Sequence, residues 1–279
     1  MPQASTVQAN GAAIPAIGLG TWQLRGEACA DAVAAALAAG YRHVDTAAMY
    51  GNEEAVGAGL KASGLDRDAV FVTTKVWYED LGDGDFERSA DASLRRLGLS
   101  DVDLLLIHWP NPAVATADAI RNLCSAKRRG LARHVGVANF TVALLDEAVA
   151  AATEPLVTNQ CEYHPYLDQT AVRDACRRHG MAFTSYSPLG RGEVVNEGVI
   201  GEIAKRHGRT PGQIILRWHV QQPGVIAIPK SGNPGRIREN IDVFDFTLSE
   251  DEMARIHALA RPDGRMVSPS WAPAWDTAA

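Results

Sequence analysis

Residues 40–57 read GYRHVDTAAMYGNEEAVG, and the run HVDTA at 43–47 decides how the fold is interpreted. This run is short and rich in aliphatic and β-branched residues, which is typical of a strand buried in a parallel sheet. Its charged residue, Asp45, comes near the end of the run. Tyr50 follows in the loop that would precede the next helix. A carboxylate and a phenol are therefore expected at the C-terminal end of one strand.

Two further runs each carry one titratable side chain near their ends. FVTTKV at 71–76 contains Lys75, and VDLLLIHW at 102–109 contains His108. In a parallel barrel the C-terminal ends of all strands open on one face, so side chains from consecutive strands meet there. An ammonium, a carboxylate, a phenol and an imidazole in one apolar mouth can transfer a proton. The sequence therefore predicts an enzyme.

Strand-like runs occur eight times and alternate with helical segments, which predicts parallel pairing with right-handed crossovers. Eight such units are the number that closes a (β/α)8 barrel. We predict one domain over 1–279, an α/β TIM barrel. The runs are IGLGTW at 17–22, 43–47, 71–76, 102–109, HVGVANF at 134–140, LVTNQCEY at 156–163, MAFTSYS at 181–187 and VIAIPK at 225–230. Helical periodicity is seen at 27–39, 86–97, 115–129, 142–151, 170–179 and 211–222.

The two ends of the chain lie outside these units. Segment 6–15 contains an Asn-Gly pair between two short runs, which predicts a β-hairpin that covers the N-terminal end of the barrel. After the eighth run we predict helices at 234–241 and 249–260, followed by an aromatic tail at 262–279. The tail has no helical period, so its sequence does not predict a substrate.

A doubly wound sheet is the alternative α/β architecture. Its nucleotide fingerprint, GxGxxG, would follow a strand and open a helix. The nearest match, GLGTWQ at 18–23, lacks the third glycine and is not followed directly by a helix, and no P-loop pattern occurs. A dinucleotide site in this chain would have to be built without either device.

Composition excludes several classes of protein. A net charge of −6 and a pI near 5.8 argue against a nucleic-acid or anionic-membrane partner. The four cysteines are scattered, without the spacing of a disulfide framework or a metal site. The N-terminus lacks the features of a signal peptide, and no apolar run is long enough to cross a membrane. We expect a cytoplasmic, monomeric protein that binds no metal.

Three long motifs together resemble the aldo-keto reductases. They are GYRHVDTAAMYGNEEAVG at 40–57, LGLSDVDLLLIHWP at 97–110 and IPKSGNPGRIREN at 228–240. The resemblance extends from the hairpin to VFDFTLS at 243–249, and the compact length is most similar to the bacterial 2,5-diketo-D-gluconate reductase branch. It implies a (β/α)8 barrel that uses NADPH to reduce aldehydes and ketones, with a small-molecule carbonyl compound as substrate.

The resemblance also implies a role for each of the four residues first singled out. Tyr50 would be the general acid, Lys75 its activator, Asp45 the partner of Lys75, and His108 the residue that orients the substrate carbonyl. A free tyrosine has a pKa near about 10 and is a poor acid at neutral pH. A neighbouring ammonium lowers that pKa, and a carboxylate keeps the ammonium charged in an apolar barrel. We therefore expect Lys75 to lower the pKa of Tyr50.

Other interpretations of these residues remain open. Asp45 and Lys75 alone could form a structural ion pair, and His108 alone could be a core histidine. In a different barrel enzyme, an aldolase, Lys75 would form a Schiff base, although the neighbouring tyrosine and aspartate favour a protonated lysine. A rival from another class is an NADPH-binding regulatory subunit like the potassium-channel β subunits, which share the barrel. A test for turnover of an aldehyde would distinguish a regulatory subunit from an enzyme.

The same resemblance implies the cofactor contacts, while tryptophans at predicted strand ends and on the tail predict an apolar substrate pocket. Asn139 and Gln160 would hold the nicotinamide carboxamide, Tyr186 would stack on its ring, and Lys230 and Arg236 would bind the 2′-phosphate. Ala138 replaces the serine usual in the family, so one carboxamide hydrogen bond would be lost. The full predicted cofactor set is Gly20, Thr21, Trp22, Asn139, Gln160, Tyr186, Ser187, Leu189, Lys230, Ser231, Arg236, Glu239 and Asn240. The predicted substrate contacts are Trp22, Tyr50, Trp77, His108, Trp109 and Trp271.

Overall fold

The structure, a computed structural model, describes residues 5–276. The strands are β1 (Thr6–Ala9), β2 (Ala12–Pro15), β3 (Leu19–Gly20), β4 (His43–Asp45), β5 (Phe71–Val76), β6 (Val102–Ile107), β7 (Ala132–Ala138), β8 (Leu156–Glu162), β9 (Ala182–Tyr186) and β10 (Val225–Ala227). The helices are α1 (Gly26–Ala38), α2 (Glu53–Ala62), α3 (Asp85–Leu97), α4 (Thr116–Arg128), α5 (Val142–Ala151), α6 (Thr170–Arg178), α7 (Gly198–His207), α8 (Pro211–Val220), α9 (Pro234–Ile241) and α10 (Glu250–His257).

Strands β3 to β10 form one parallel sheet in which each strand pairs with its neighbours in the chain. The first and last strands also meet, because Gly18 N donates to Ala227 O at 2.9 Å and Gly20 N donates to Pro229 O at 3.0 Å. These bonds form a seam that closes the barrel. The predicted (β/α)8 fold is confirmed. The single-domain prediction over 1–279 includes residues 1–4 and 277–279, which lie outside the described residues, and stays a prediction.

The N-terminal hairpin was also predicted correctly. Strands β1 and β2 pair antiparallel around Asn10 and Gly11, which both have positive φ, as the tight turn of a two-residue hairpin requires. Ile14 packs with Leu104 and Leu106 of β6 and with other inward-facing barrel residues. The hairpin therefore fills the N-terminal end of the barrel, as expected.

Buried apolar runs and helix starting signals account for most of the other elements. All six residues of β6 are buried, as expected for a strand covered on both faces. Helix α8 begins with Thr210 and Gln213 in a capping box and with Pro211 at the first helical position. Helices α2 and α7 were not among the predicted helices. Strands β3 and β10 are shorter than their predicted runs.

Residues 261–276, here called the C-terminal strap, contain no helix or strand. They are fixed instead by contacts with other parts of the chain. Arg261 N donates to Tyr166 O at 3.0 Å near one end, and Val142 N, at the start of α5, donates to Asp276 Oδ2 at 3.0 Å at the other. The strap therefore crosses the mouth of the barrel between α10 and α5.

The cysteines, the potential metal ligands and the apolar helices were the subject of the predictions from composition. All four cysteines are free and buried, so they form no disulfide. In the described part of the chain, no group of three or more potential ligands could hold a metal ion. Among the same residues, no helix combines the length and apolar character needed to cross a membrane.

Candidate active site

The four predicted catalytic residues meet at the C-terminal end of the strands. Lys75 Nζ lies 2.5 Å from Asp45 Oδ1 and 3.4 Å from the Tyr50 hydroxyl oxygen, which is long for a hydrogen bond. The Tyr50 and His108 rings stand edge to face, with their centroids 5.6 Å apart. We call Asp45, Tyr50, Lys75 and His108 the catalytic floor.

Local structure places each of these side chains. Asp45 is the last residue of β4, Lys75 lies in β5, and His108 directly follows β6, so parallel pairing brings the three to the same end of the barrel. Tyr50 ends a single 3₁₀ turn that begins just after β4. This turn returns the phenol to the end of the strand that carries Asp45.

The charges of the catalytic floor are satisfied within the protein. Besides Asp45, Lys75 Nζ donates to the Thr46 carbonyl at 2.9 Å, and Gln160 Nε2 donates to Asp45 Oδ2 at 2.7 Å. A buried ion pair is tolerated when further hydrogen bonds satisfy its remaining atoms, and this pair meets that condition. Removing either partner would leave an uncompensated buried charge.

The pKa values of Lys75 and Tyr50 are both raised above their ordinary values. Burial alone would lower the pKa of Lys75, but the Asp45 carboxylate and the Tyr50 hydroxyl raise it above the ordinary lysine value. Lys75 is therefore a cation. Burial raises the pKa of Tyr50, and the ammonium of Lys75 only partly offsets this effect. Lys75 lowers the pKa of Tyr50 as expected, but desolvation of the phenolate outweighs this attraction, so the net pKa is raised.

His108 is held as a neutral imidazole. Burial, assisted by the charge of Lys75, lowers the pKa of His108 well below its ordinary value. Its Nδ1 atom is buried and has no hydrogen-bond partner among the described residues. An unpaired acceptor is more common in protein interiors than an unpaired N–H donor. The proton is therefore assigned to Nε2, which makes this atom a hydrogen-bond donor.

The catalytic floor lies at one end of a cavity of about 870 Å³. Asp45, Tyr50 and His108 line it, and Lys75 lies beneath them. Every residue predicted to bind the cofactor also lines this cavity: Gly20, Thr21, Trp22, Asn139, Gln160, Tyr186, Ser187, Leu189, Lys230, Ser231, Arg236, Glu239 and Asn240.

Two amide side chains in the centre of the cavity are already bonded to the protein. Asn139, which has a left-handed backbone with φ of +64°, donates through Nδ2 to the His108 carbonyl and accepts from the Tyr186 hydroxyl at 2.8 Å. Gln160 donates to Asp45, and within the described residues its Oε1 atom accepts no hydrogen bond. Gln160 therefore has a free acceptor beside the catalytic floor.

The far end of the cavity carries two cations without partners. The side chains of Lys230 and Arg236 make no hydrogen bond or ion pair with any described residue, and both line the cavity. Lys230 follows β10, and Arg236 lies in the first turn of α9. We call this pair the basic end. Its two charges attract an anion, which the described residues do not supply.

The predicted substrate contacts divide into three groups. Trp109 lines the cavity, and Trp271 of the strap packs edge-on against it, with ring centroids 5.1 Å apart. Trp77 does not line the cavity but contacts the His108 ring at 5.2 Å and Trp271 at 5.7 Å. Trp22 is 37% exposed and lies under the guanidinium of Arg191. The aromatic wall therefore consists of Trp77, Trp109 and Trp271.

Several cavity residues were not identified from the sequence. Arg191 lies between two glycines and has φ of +52°, a strained conformation for a residue with a side chain. Its glycine neighbours after the seventh strand were the signal available in the sequence. Val267 of the strap carries no such signal. Other unpredicted lining residues are Gln23, Met49, Asn196 and Thr210.

The chain is similar to known proteins over most of its length. The model of the aldo/keto reductase family matches residues 16–261. A 9,11-endoperoxide prostaglandin H2 reductase of Trypanosoma cruzi is 43% identical over 90% of this chain and 89% of its own. A glyoxal reductase of Bacillus subtilis is 42% identical over 91% of this chain and 92% of its own.

Solved structures are similar to this chain over nearly its whole length. A protein whose assignment as a 2,5-diketo-D-gluconic acid reductase B is provisional superimposes with a TM-score of 0.96, at 45% identity and 98% coverage of both chains. A variant of Gox0644 in complex with NADPH has a TM-score of 0.90 at 40% identity, covering 96% of this chain and 97% of its own. The chain belongs to the aldo/keto reductase family and is an oxidoreductase.

Proposed function

We propose that this enzyme reduces the carbonyl group of small aldehydes and ketones, with NADPH as reductant and Tyr50 as proton donor. One observation carries the proposal. The Asp45–Lys75–Tyr50 chain, with His108 beside it, borders a cavity that is also lined by Lys230 and Arg236, two cations without a partner among the described residues. A proton donor and an anion site in one cavity suit a carbonyl compound and a phosphorylated cofactor.

The residues of the cavity fit NADPH. A Cβ atom at Gly20 would lie 2.7 Å from the Ile228 carbonyl oxygen, so only glycine allows the strands to approach so closely at this wall. Lys230 and Arg236 would bind the 2′-phosphate, and Gln160 Oε1 would accept from the carboxamide. Tyr186 would lie against the ring. When bound, the nicotinamide supplies the hydride that the carbonyl carbon receives.

The protein's own task is to position the carbonyl oxygen and give it a proton. Tyr50 is protonated at neutral pH because its pKa is raised, so its hydroxyl can donate. Lys75 stabilises the negative charge that Tyr50 gains as its proton leaves. His108 Nε2 provides a second donor to the same oxygen. Two donors aimed at a developing alkoxide act as an oxyanion hole.

The aromatic wall favours substrates with an apolar body. Trp109 lines the cavity together with His108, and Trp271 packs edge-on against Trp109, so these rings would exclude water from a carbonyl bound there. The name of the Bacillus relative adds α-dicarbonyls to the compounds worth testing first. The regulatory alternative gains no support from any observation on this site.

An NADPH-oxidation screen tests this function directly. Aldehydes, α-dicarbonyls and keto-sugars would be supplied to the wild-type enzyme and to Tyr50→Phe. We expect turnover of at least one class by the wild type and almost none by the variant. If the wild type binds NADPH but none of the carbonyl compounds causes NADPH to be oxidised, the proposal is contradicted and a regulatory protein is favoured.

A further inference from the structure

We propose that Glu162 is a positioning residue that sets substrate affinity by holding the C-terminal strap over the cavity. This inference rests on the proposed function and extends it. Glu162 is the last residue of β8 and is fully buried. Its side chain makes no hydrogen bond to the catalytic floor or to a residue predicted to bind the cofactor, so it acts through the strap.

The contacts of Glu162 are unusual for a side chain at a strand end. Its Oε1 accepts from Met266 N at 2.7 Å, and its Oε2 accepts from Val267 N at 2.9 Å. His164 Nε2 lies 3.0 Å from the same Oε1 atom. One carboxylate thus binds two consecutive backbone amides of a segment that has no helix or strand of its own.

The position of this contact links it to the active site. Glu162 lies two residues after Gln160 on the same strand, so both side chains project from the same face of β8. Gln160 bonds to Asp45 of the catalytic floor, and Val267, which Glu162 binds, lines the cavity. The strap enters the cavity wall at the residue that the carboxylate holds.

The rest of the strap depends on this contact for its path. Gly264 approaches Tyr166 so closely that a Cβ atom there would lie 1.8 Å from the Tyr166 carbonyl oxygen. Beyond Val267, Trp271 stacks on Tyr78 with centroids 4.3 Å apart and packs edge-on against Trp77 and Trp109. Between these two fixed regions, the described contacts that hold Met266 and Val267 by their backbone come from Glu162.

The first test is Glu162→Gln, which keeps the size of the side chain. The amide presents an oxygen to one strap N–H and an NH2 group to the other, so only one of the two bonds can be kept. We expect hydrogen exchange at Met266 and Val267 to accelerate by about tenfold or more. The KM for an aromatic aldehyde should rise several-fold, while kcat and the Kd for NADPH stay within about twofold.

Glu252→Gln is the matched control. Glu252 is also buried, accepts a backbone N–H from Ser249 and contacts a histidine, His207, but it makes no hydrogen bond to a described residue of the strap. We expect this variant to lose some stability while its KM and strap exchange stay those of the wild type. Equal changes in KM for the two variants would overturn the proposal.

A second variant keeps the test decisive if Glu162→Gln does not fold. Asp276→Ala removes the far anchor of the strap, at Val142 N, and leaves the barrel intact. Strap exchange and KM should again rise together, by less than in Glu162→Gln. Faster strap exchange with an unchanged KM would overturn the proposal, because the strap would then not set substrate affinity. Because exchange is measured without substrate, it tests the strap even if the wild type reduces no carbonyl.

Discussion

The two ends of the cavity handle charge in opposite ways. At the catalytic floor, Lys75 is bonded to Asp45 and Thr46, and Asp45 is bonded again to Gln160. At the basic end, Lys230 and Arg236 have no partner among the described residues. The groups proposed to support proton transfer are held by the protein in advance. The cations proposed to bind a ligand's charge are left available for it.

Tyr50→Phe would change the catalytic floor without changing its shape, and it should have the largest effect. Only the phenolic proton donor is lost, and general acid catalysis contributes roughly 10²–10⁴-fold to a rate. We expect kcat to fall by that factor while the Kd for NADPH stays the same. Tyr78→Phe is the control and should stay active, because Tyr78 does not line the cavity and its hydroxyl bonds to Glu79. More than about a tenth of wild-type activity in Tyr50→Phe would exclude Tyr50 as the acid.

Arg236→Ala tests the basic end. A charge-assisted contact with a phosphate is worth on the order of 1.5–3 kcal/mol, or about ten- to a hundred-fold in affinity. NADPH binding should weaken by that factor and NADH binding should hardly change, as measured by fluorescence quenching. Arg238→Ala is the control, because Arg238 lies on the same helix and is exposed without lining the cavity. Equal losses for both cofactors would assign Arg236 a role in the loop alone.

Trp109→Ala tests whether the aromatic wall belongs to the substrate. Lost apolar contact scales with area, so the KM for aromatic aldehydes should rise by up to about tenfold. The KM for small aldehydes should change less. Steady-state kinetics on one preparation gives both values, so small substrates provide the internal control. The same rise for both kinds of aldehyde would indicate that Trp109 only packs the strap.

Acid should destabilise the folded protein through its buried histidines. Burial lowers the pKa of His219 to about 4, and burial also lowers the pKa values of His43 and His108. The unfolded chain therefore binds more protons than the native one below about pH 6.5. Stability is complete above that pH and should fall by about 1.4 kcal/mol per pH unit for each such histidine. Urea unfolding between pH 7 and pH 4 measures this, and a flat profile would contradict it.

Three of the four residues of the catalytic floor could be predicted because their strand positions determine them, whereas Tyr50 lies in the turn after its strand. Asp45, Lys75 and His108 stand at the ends of consecutive buried runs, and parallel pairing brings such ends together. The motif resemblance added the cavity residues, all of which line the same space. Their roles stay predictions until the variants are measured.

What the sequence did not reveal depends on contacts between distant segments. Glu162 looks like any charged residue at a strand end, and only the fold shows that it meets Met266 and Val267. The raised pKa of Tyr50 is a second example, because the degree of burial that causes it has no local pattern in the sequence. Arg191 reached the cavity through a strained loop that composition alone does not orient.

The seam of the barrel has a consequence for how the molecule is made. It joins residue 18 to residue 227, so it cannot form until most of the chain has left the ribosome. Contacts between such distant residues are also slow to form, because a long loop must first be closed. Gly20 and Lys230 sit beside this seam, on opposite sides. During synthesis the proposed cofactor pocket is thus completed late, after the strands that carry Asp45, Lys75 and His108 have been made.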